Sequence, residues 1–153
     1  MSVISKEKAL KYFKLSKHLA DLFSKDPDKK VGCLILSKET YRILATGING
    51  FPRHLSDTKE RWERTNKSLY VIHAEQNAIA NSANSGTSID NSIAIINMFP
   101  CKECAKILIQ SGVKTIVTVQ PNINHIRWGE SSKISLEMFT EVGIEILFVE
   151  DEI

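Results

Sequence analysis

The sequence predicts an α/β protein, a three-layer α/β/α arrangement built on a five-stranded mixed sheet. Three observations predict it. Apolar residues recur at helical spacing in four separate stretches, and five short β-branched or aliphatic runs lie between and beside them. The order of elements, α-β-β-α-β-α-β-α-β, puts a hairpin early and strand–helix–strand units later. That order requires one sheet with helices on both faces and right-handed crossovers among its later, parallel strands.

Between residues 6 and 24 the apolar positions Leu10, Phe13, Leu15, Leu19, Leu22 and Phe23 fall three and four apart, an amphipathic helix that Asp26-Pro27-Asp28 stops. Residues 31–36 form a continuous β-branched and aliphatic run, and residues 41–46 alternate. The polar turn Ser37-Lys38-Glu39-Thr40 joins them as a hairpin. Gly47-Ile48-Asn49-Gly50-Phe51-Pro52 is expected to be loop. The polar stretch 53–68, with Arg53, Lys59, Arg61, Arg64 and Lys67 among its acids, is expected to be part loop and part short helix. Residues 73–83 carry Ala74, Ala78, Ile79 and Ala83 on helical spacing and end near Ser85-Gly86, a suitable cap. A buried strand is predicted over 92–97, then a helix over 101–110 with Ala105, Leu108 and Ile109 inward and Ser111-Gly112 closing it. A strand over 114–119, a loop over 121–129, a helix over 131–142 ending at Gly143 and a last strand over 144–149 complete the chain. In such a sheet a site is expected where loops leave the carboxyl ends of strands and meet helix N-termini.

The 153 residues carry 20 Lys+Arg against 18 Asp+Glu, a net charge of +2 with His neutral, and 42% of them are apolar. A chain of this size buries a sufficient core without disulfides, so residues 1–153 are expected to form one domain. No apolar run approaches the roughly 20 residues of a membrane span. The first eight residues lack the apolar segment of a secretory signal, so a cytoplasmic location is expected. No cluster of Lys and Arg supplies the several contacts that a phosphate backbone needs, which excludes duplex DNA and an anionic membrane surface and favours a small substrate. Two of the three Cys are spaced Cys101-x-x-Cys104, which in a reducing compartment points to metal or redox chemistry rather than to a disulfide framework. Cys33, inside an apolar strand, reads as a reduced core residue.

Two motifs carry chemistry. His73-Ala74-Glu75 opens one predicted helix, and Pro100-Cys101-Lys102-Glu103-Cys104 opens the next, 28 positions later with a strand between. One imidazole and two thiolates make three ligands for a tetrahedral zinc and leave a fourth position open, the pattern of a catalytic rather than a structural site. Cys101 and Cys104 stand one turn apart at a helix N-terminus, where the thiolate is favoured. Glu75, two residues from a ligand, can reach a water activated by the metal without ligating it and can carry protons to a leaving nitrogen. The combination H-x-E and P-C-x-x-C is the signature of zinc nucleobase deaminases.

On these residues the sequence resembles the cytidine deaminase-like superfamily and, within it, the deoxycytidylate (dCMP) deaminases. The matching stretches are Ser24-Lys25-Asp26-Pro27 before Val31-Gly32-Cys33, then Gly47-Ile48-Asn49-Gly50-Phe51-Pro52, His73-Ala74-Glu75-Gln76-Asn77-Ala78-Ile79, and Phe99-Pro100-Cys101-Lys102-Glu103-Cys104-Ala105-Lys106. The zinc motif marks the superfamily; Glu103 with Ala105-Lys106, and the Gly-x-Asn-Gly-Phe-Pro loop, point to deoxycytidylate. The resemblance implies a cytidine deaminase-like fold and hydrolysis of dCMP to dUMP and ammonia, supplying dUMP for thymidylate synthesis. It implies that His73, Cys101 and Cys104 hold one zinc ion, that Glu75 shuttles protons, that Asn49 contacts the deoxyribose and that the Ala74 backbone positions the pyrimidine. It further implies a homo-oligomer, often a hexamer, activated by dCTP with Mg2+ and inhibited by dTTP at a nucleotide site near Gly47 and Gly50. Where many relatives carry a Tyr-His-Asp-like stretch, this chain has Pro121-Asn122-Ile123-Asn124-His125.

Other readings compete. Arg53 and Arg64, with Arg61 and Lys67, can serve a substrate phosphate, because guanidinium binds phosphate in bidentate fashion, or can form a solvated charged loop. Asn49 between glycines also suits a tight turn. A Cys-x-x-Cys is half of a structural zinc site, but His18, His54 and His125 stand apart from any further Cys. A redox dithiol lacks a thioredoxin-like context. The remaining alternatives are a deaminase of dCTP, of 5-substituted dCMP, of cytidine or of tRNA adenosine, and a zinc-stabilised binding module without turnover.

Overall fold

The computed structural model describes residues 4–150. Residues 1–3 of the segment read for a secretory signal, and residues 151–153, lie outside the described residues. Helix α1 (Lys6–Phe23) starts at Ser5, whose hydroxyl accepts the Lys8 N–H at 3.2 Å, and buries Ala9, Phe13, Ser16 and Ala20. Leu15, Leu22 and Phe23, counted into the apolar stripe from the sequence, are exposed instead. Ser16 and Ala20 are small where the sheet comes close: a Cβ on Gly32 would lie 2.1 Å from the Ser16 carbonyl oxygen and 3.3 Å from the Ala20 Cβ.

Strand β1 (Gly32–Ser37) pairs antiparallel with β2 (Ile43–Ile48), Gly32 opposite Ile48, which is the expected hairpin. Its second strand is displaced by two residues from the predicted 41–46. Tyr41 adopts φ 59° and belongs to the turn, its N–H donating to the Ser37 carbonyl at 2.9 Å. At the other end Gly47 and Ile48, expected in a loop, continue the ladder. The polar stretch folds into loop plus two short helices, α2 (Lys59–Trp62) and α3 (Arg64–Tyr70). They are held by aromatic contact rather than by an apolar stripe: Trp62 stacks on Phe51 at 4.1 Å and Tyr70 meets Phe51 edge-on at 6.1 Å.

Helix α4 (Ala74–Ser85) ends at Gly86 in the left-handed conformation, φ 70°. Then follow β3 (Ser92–Ile96), α5 (Lys102–Gln110), β4 (Val113–Thr118), α6 (Gly129–Glu141) and β5 (Glu145–Phe148). The sheet order is β2-β1-β3-β4-β5, with β1 antiparallel to both neighbours and β3, β4 and β5 mutually parallel, so the sheet is mixed as expected. On one face Leu34, Leu36, Ile93, Ile95 and Val117 pack with Phe13 of α1. On the other, Cys33, Ile35, Ala94, Ile96 and Ile116 lie under Ala78, Leu108 and Phe139 of α4, α5 and α6. Central strands covered on both faces are apolar without alternation, which explains the continuous runs in the sequence. No helix of the described residues is long and apolar enough to cross a membrane.

Candidate active site

The N-termini of α4 and α5 meet beyond the ends of β2 and β3, and close backbone packing sets their position. A Cβ on Gly47 would lie 2.3 Å from both the Ala74 carbonyl oxygen and the Ala78 nitrogen, so α4 rests directly on the β2 backbone. The Asn77 amide donates to the Ile48 carbonyl at 2.9 Å. Upstream, Gly50 and Ile72 exchange both backbone hydrogen bonds, at 3.2 and 2.8 Å, and deliver the chain into α4. His73 is the N-cap of α4, and its N–H donates to Gln76 Oε1 at 2.9 Å. Cys101 is the N-cap of α5, its carbonyl accepting the Ala105 N–H at 2.8 Å.

This packing brings three ligand atoms together. His73 Nδ1 lies 3.2 Å from Cys104 Sγ and 3.5 Å from Cys101 Sγ, and all three atoms fall within 4.8 Å of one another. Ligands at tetrahedral zinc distances are roughly 3.5–3.8 Å apart, so one ion fits among them with little movement. Two sulfurs and an imidazole suit zinc, and three protein ligands leave one position open. The hydrogen bond between the two cysteines lowers the Cys101 thiol to about 4, while the same bond and burial push Cys104 up. Without a metal the pair is therefore one thiolate and one thiol. The Cys101 hydrogen bond also raises His73. Glu75, on the first turn of α4, is 5% exposed, and burial pushes its carboxyl above the ordinary range. A buried carboxyl beside the ligand group is placed to act as a general acid or base. Cys33, free and fully buried on β1, is raised first by burial and then by the Glu75 charge; it is a core residue as read.

The other expected residues divide. Ala74 is fully buried between ligand and carboxylate, and its N–H is among the four at the helix start that have no intrahelical partner. Gly47 and Gly50 serve the packing and the bridge just described. The Asn49 side chain is engaged within the protein. Its Oδ1 accepts the Val31 N–H at 2.9 Å and the Ser24 hydroxyl at 2.7 Å, and its Nδ2 donates to Asp26 Oδ2 at 3.1 Å and the Lys29 carbonyl at 2.8 Å. Both amide donors are used inside the protein, and Oδ1 shares the single Ser24 hydroxyl proton with the Asn49 backbone carbonyl, which lies 2.9 Å from the same hydroxyl. Arg53 points away from the metal group: its guanidinium donates to Asn81 Oδ1, two turns and about 12 Å along α4 from His73. It lines a surface cleft with Leu44, Thr46, Asn81 and Ser85 that contains none of the ligand residues. Arg64 is exposed at the start of α3. Arg61 lies over the Tyr70 ring at 5.0 Å, and Lys67 bridges Asp26 and Asp28, each at 3.1 Å. Four residues that the sequence reading missed help build the site: Gln76, Asn77, Ser131 and Ser135. Gln three positions after an N-cap is a readable capping signal; the contacts of Asn77 and the two serines, being non-local, leave no local signal.

Comparison with known proteins agrees with this geometry. Residues 6–120 match the family described as the cytidine and deoxycytidylate deaminase zinc-binding region. A probable deoxycytidylate deaminase of Caenorhabditis elegans is 36% identical over 132 residues, covering 84% of this chain. The chain spans 64% of the length of that relative. An uncharacterized deaminase in the luxG 3' region of Aliivibrio fischeri is 32% identical over 142 residues, 92% of each chain. Among solved structures, dCMP deaminase from the cyanophage S-TIM5 in complex with dCMP and dUMP superposes with a TM-score of 0.76 at 26% identity, over 96% of this chain and 100% of that one.

Proposed function

This chain belongs to the cytidine and deoxycytidylate deaminase zinc-binding family, and from that premise we propose that it hydrolyses dCMP to dUMP and ammonia. The observation that carries the reading is the cluster of His73 Nδ1 with the Cys101 and Cys104 sulfurs beside the buried Glu75 carboxyl. The choice of dCMP rests on the relatives named for deoxycytidylate and on the likeness to a structure that binds dCMP and dUMP.

In this reading His73, Cys101 and Cys104 hold one zinc ion. When bound, zinc supplies the Lewis acidity that makes a water nucleophilic near neutral pH. Glu75 takes one proton from the attacking water and gives it to N3 as the new C4–oxygen bond forms. It then moves the remaining hydroxyl proton to the amino group, the C4–nitrogen bond breaks and ammonia leaves. The N3 proton stays on the uracil ring, so water and dCMP are converted to dUMP and ammonia with nothing left over. Burial of Glu75 favours both transfers, because a raised carboxyl is a better base toward the water and still an acid toward the amine. The unpartnered Ala74 N–H at the helix start is available to an oxygen of the pyrimidine.

The test is ammonia release by the zinc-loaded protein from dCMP, CMP, dCTP, 5-substituted dCMP and deoxycytidine. Turnover of dCMP ahead of the others supports the reading; zinc binding with an inert panel overturns it. Repeating the assay with dCTP and dTTP, and measuring mass in solution by light scattering, tests the triphosphate control and the homo-oligomer that the resemblance implies.

A further inference from the structure

Residues at helix N-caps ordinarily use their own side chains to accept the first free N–H groups of the helix. Cys101 does not, because its sulfur faces His73 and Cys104. The backbone on either side of it is held instead from a different helix. The Lys102 N–H, at the first position of α5, donates to Ser131 Oγ at 2.9 Å. The Ser135 hydroxyl lies 2.9 Å from the Pro100 carbonyl oxygen and 3.1 Å from the Ser131 carbonyl oxygen, so its single proton serves one or is shared between them. Ser131 and Ser135 stand four apart and therefore on one face of α6. Ser135 is fully buried, although an apolar residue would fill that layer beside Phe139 as well. The Ser131 hydroxyl thus holds the peptide unit after Cys101, and the Ser135 hydroxyl stands at hydrogen-bond distance from the one before it; Cys101 supplies one of the three ligand atoms.

We propose that Ser131 and Ser135 are positioning residues for the metal centre, holding the Pro100–Cys101–Lys102 backbone so that the Cys101 sulfur stands at ligating distance from its partners. This rests on the reading of His73, Cys101 and Cys104 as metal ligands. The clamp fixes the Cys101 φ of −69° and ψ of 167°, from which the sulfur is aimed at His73. Without it the turn into α5 is held at Cys101 only by its carbonyl's bond to the Ala105 N–H, and the ion would have to order the rest on binding. Outer-shell groups that orient ligands change metal affinity by about 10–100-fold when removed. A hydroxyl that only filled space would change the melting temperature and leave affinity untouched.

The experiment measures Zn2+ affinity by chelator competition, and the visible absorption of the Co2+-loaded protein, for wild type, Ser131→Ala, Ser131→Thr and Ser131→Ala/Ser135→Ala. The melting temperature of each metal-free protein serves as the structural control. Ser131→Ala is expected to weaken Zn2+ binding about tenfold or more and to broaden the Co2+ bands. Ser131→Thr, which keeps the hydroxyl, is expected to stay near wild type, and the double variant to fall further. Ser131 is only half-buried, so the single variant decides the matter if the double variant does not fold. Affinity and spectra equal to wild type in folded Ser131→Ala overturn the proposal while the metal-site reading stands. A wild type that binds neither ion overturns both.

Discussion

Replacing Gly47 by Ala tests whether α4, and with it His73 and Glu75, is positioned by direct contact with β2. The added Cβ would lie 2.3 Å from the Ala74 carbonyl oxygen and the Ala78 nitrogen and 2.9 Å from the Ala78 Cα. These are backbone atoms of a packed helix, so no side-chain rotation relieves the clash. Restoring ordinary van der Waals contact of about 3.4 Å requires α4 to retreat by roughly 1 Å. Overpacking of this kind costs about 1–3 kcal/mol. At about 2–4 °C per kcal/mol for a chain of this size, the melting temperature should fall by roughly 2–12 °C. The functional effect should be larger. The retreat moves one ligand and the proton carrier relative to Cys101 and Cys104, and a misplacement of about 1 Å costs on the order of 10²-fold in rate. Ammonia release from dCMP, zinc content and a thermal melt on the same preparation measure all three. Wild-type melting and turnover in Gly47→Ala would refute the contact. Unchanged turnover with an altered response to dCTP would place Gly47 at an effector site instead.

Asn49→Ala leaves Asp26 Oδ2, the Lys29 carbonyl and the Val31 N–H without a partner, while the Ser24 hydroxyl keeps the backbone carbonyl at position 49, and should destabilise the protein by about 2–4 kcal/mol in a circular-dichroism melt. An unchanged melt with a raised KM for dCMP would show that the amide serves the sugar after all. In metal-free protein, iodoacetamide should modify Cys101 first, because its thiolate persists down to about pH 4, whereas an ordinary thiol slows about tenfold for each pH unit below roughly 8.5. Mass mapping that finds Cys33 or Cys104 modified first contradicts the assigned thiolate. Zinc binding at pH 7 should release at least one proton, since Cys104 is held protonated until the ion arrives and the raised His73 adds to the release. Calorimetry in buffers of different ionisation enthalpy reads this directly, and a buffer-independent heat would contradict it.

The parts of this protein visible in its sequence are those whose cause is local. Central strands announced themselves as continuous apolar runs because both faces are covered, as Ile93 to Ile96 show. The metal group was visible because each ligand sits at a helix start with a fixed offset to its neighbour, His73 to Glu75 and Cys101 to Cys104. Elsewhere the cause is remote. Tyr41 looks like the first residue of an alternating strand, yet the turn takes it at φ 59° and shifts the strand by two residues. Gly47 reads as loop because nothing nearby in sequence reveals the α4 backbone lying against it. Asn49 fits either a turn or a ligand contact, and nothing nearby in sequence reveals the convergence of Ser24, Asp26, Lys29 and Val31 on its amide. Arg53 was as plausible a phosphate contact as any other arginine, and nothing local reveals its hydrogen bond to Asn81, 28 positions away. Ser131 and Ser135 are ordinary helix serines until the segment 29 to 35 positions before them is placed alongside.

The account depends most on Glu75 as the carrier of both protons beside a metal held by other residues. The most direct test is Glu75→Gln, assayed together for bound zinc and for ammonia release from dCMP. One zinc per chain with turnover reduced by about 10²–10⁴-fold is the predicted result. Zinc retained with near-normal ammonia release would contradict the mechanism.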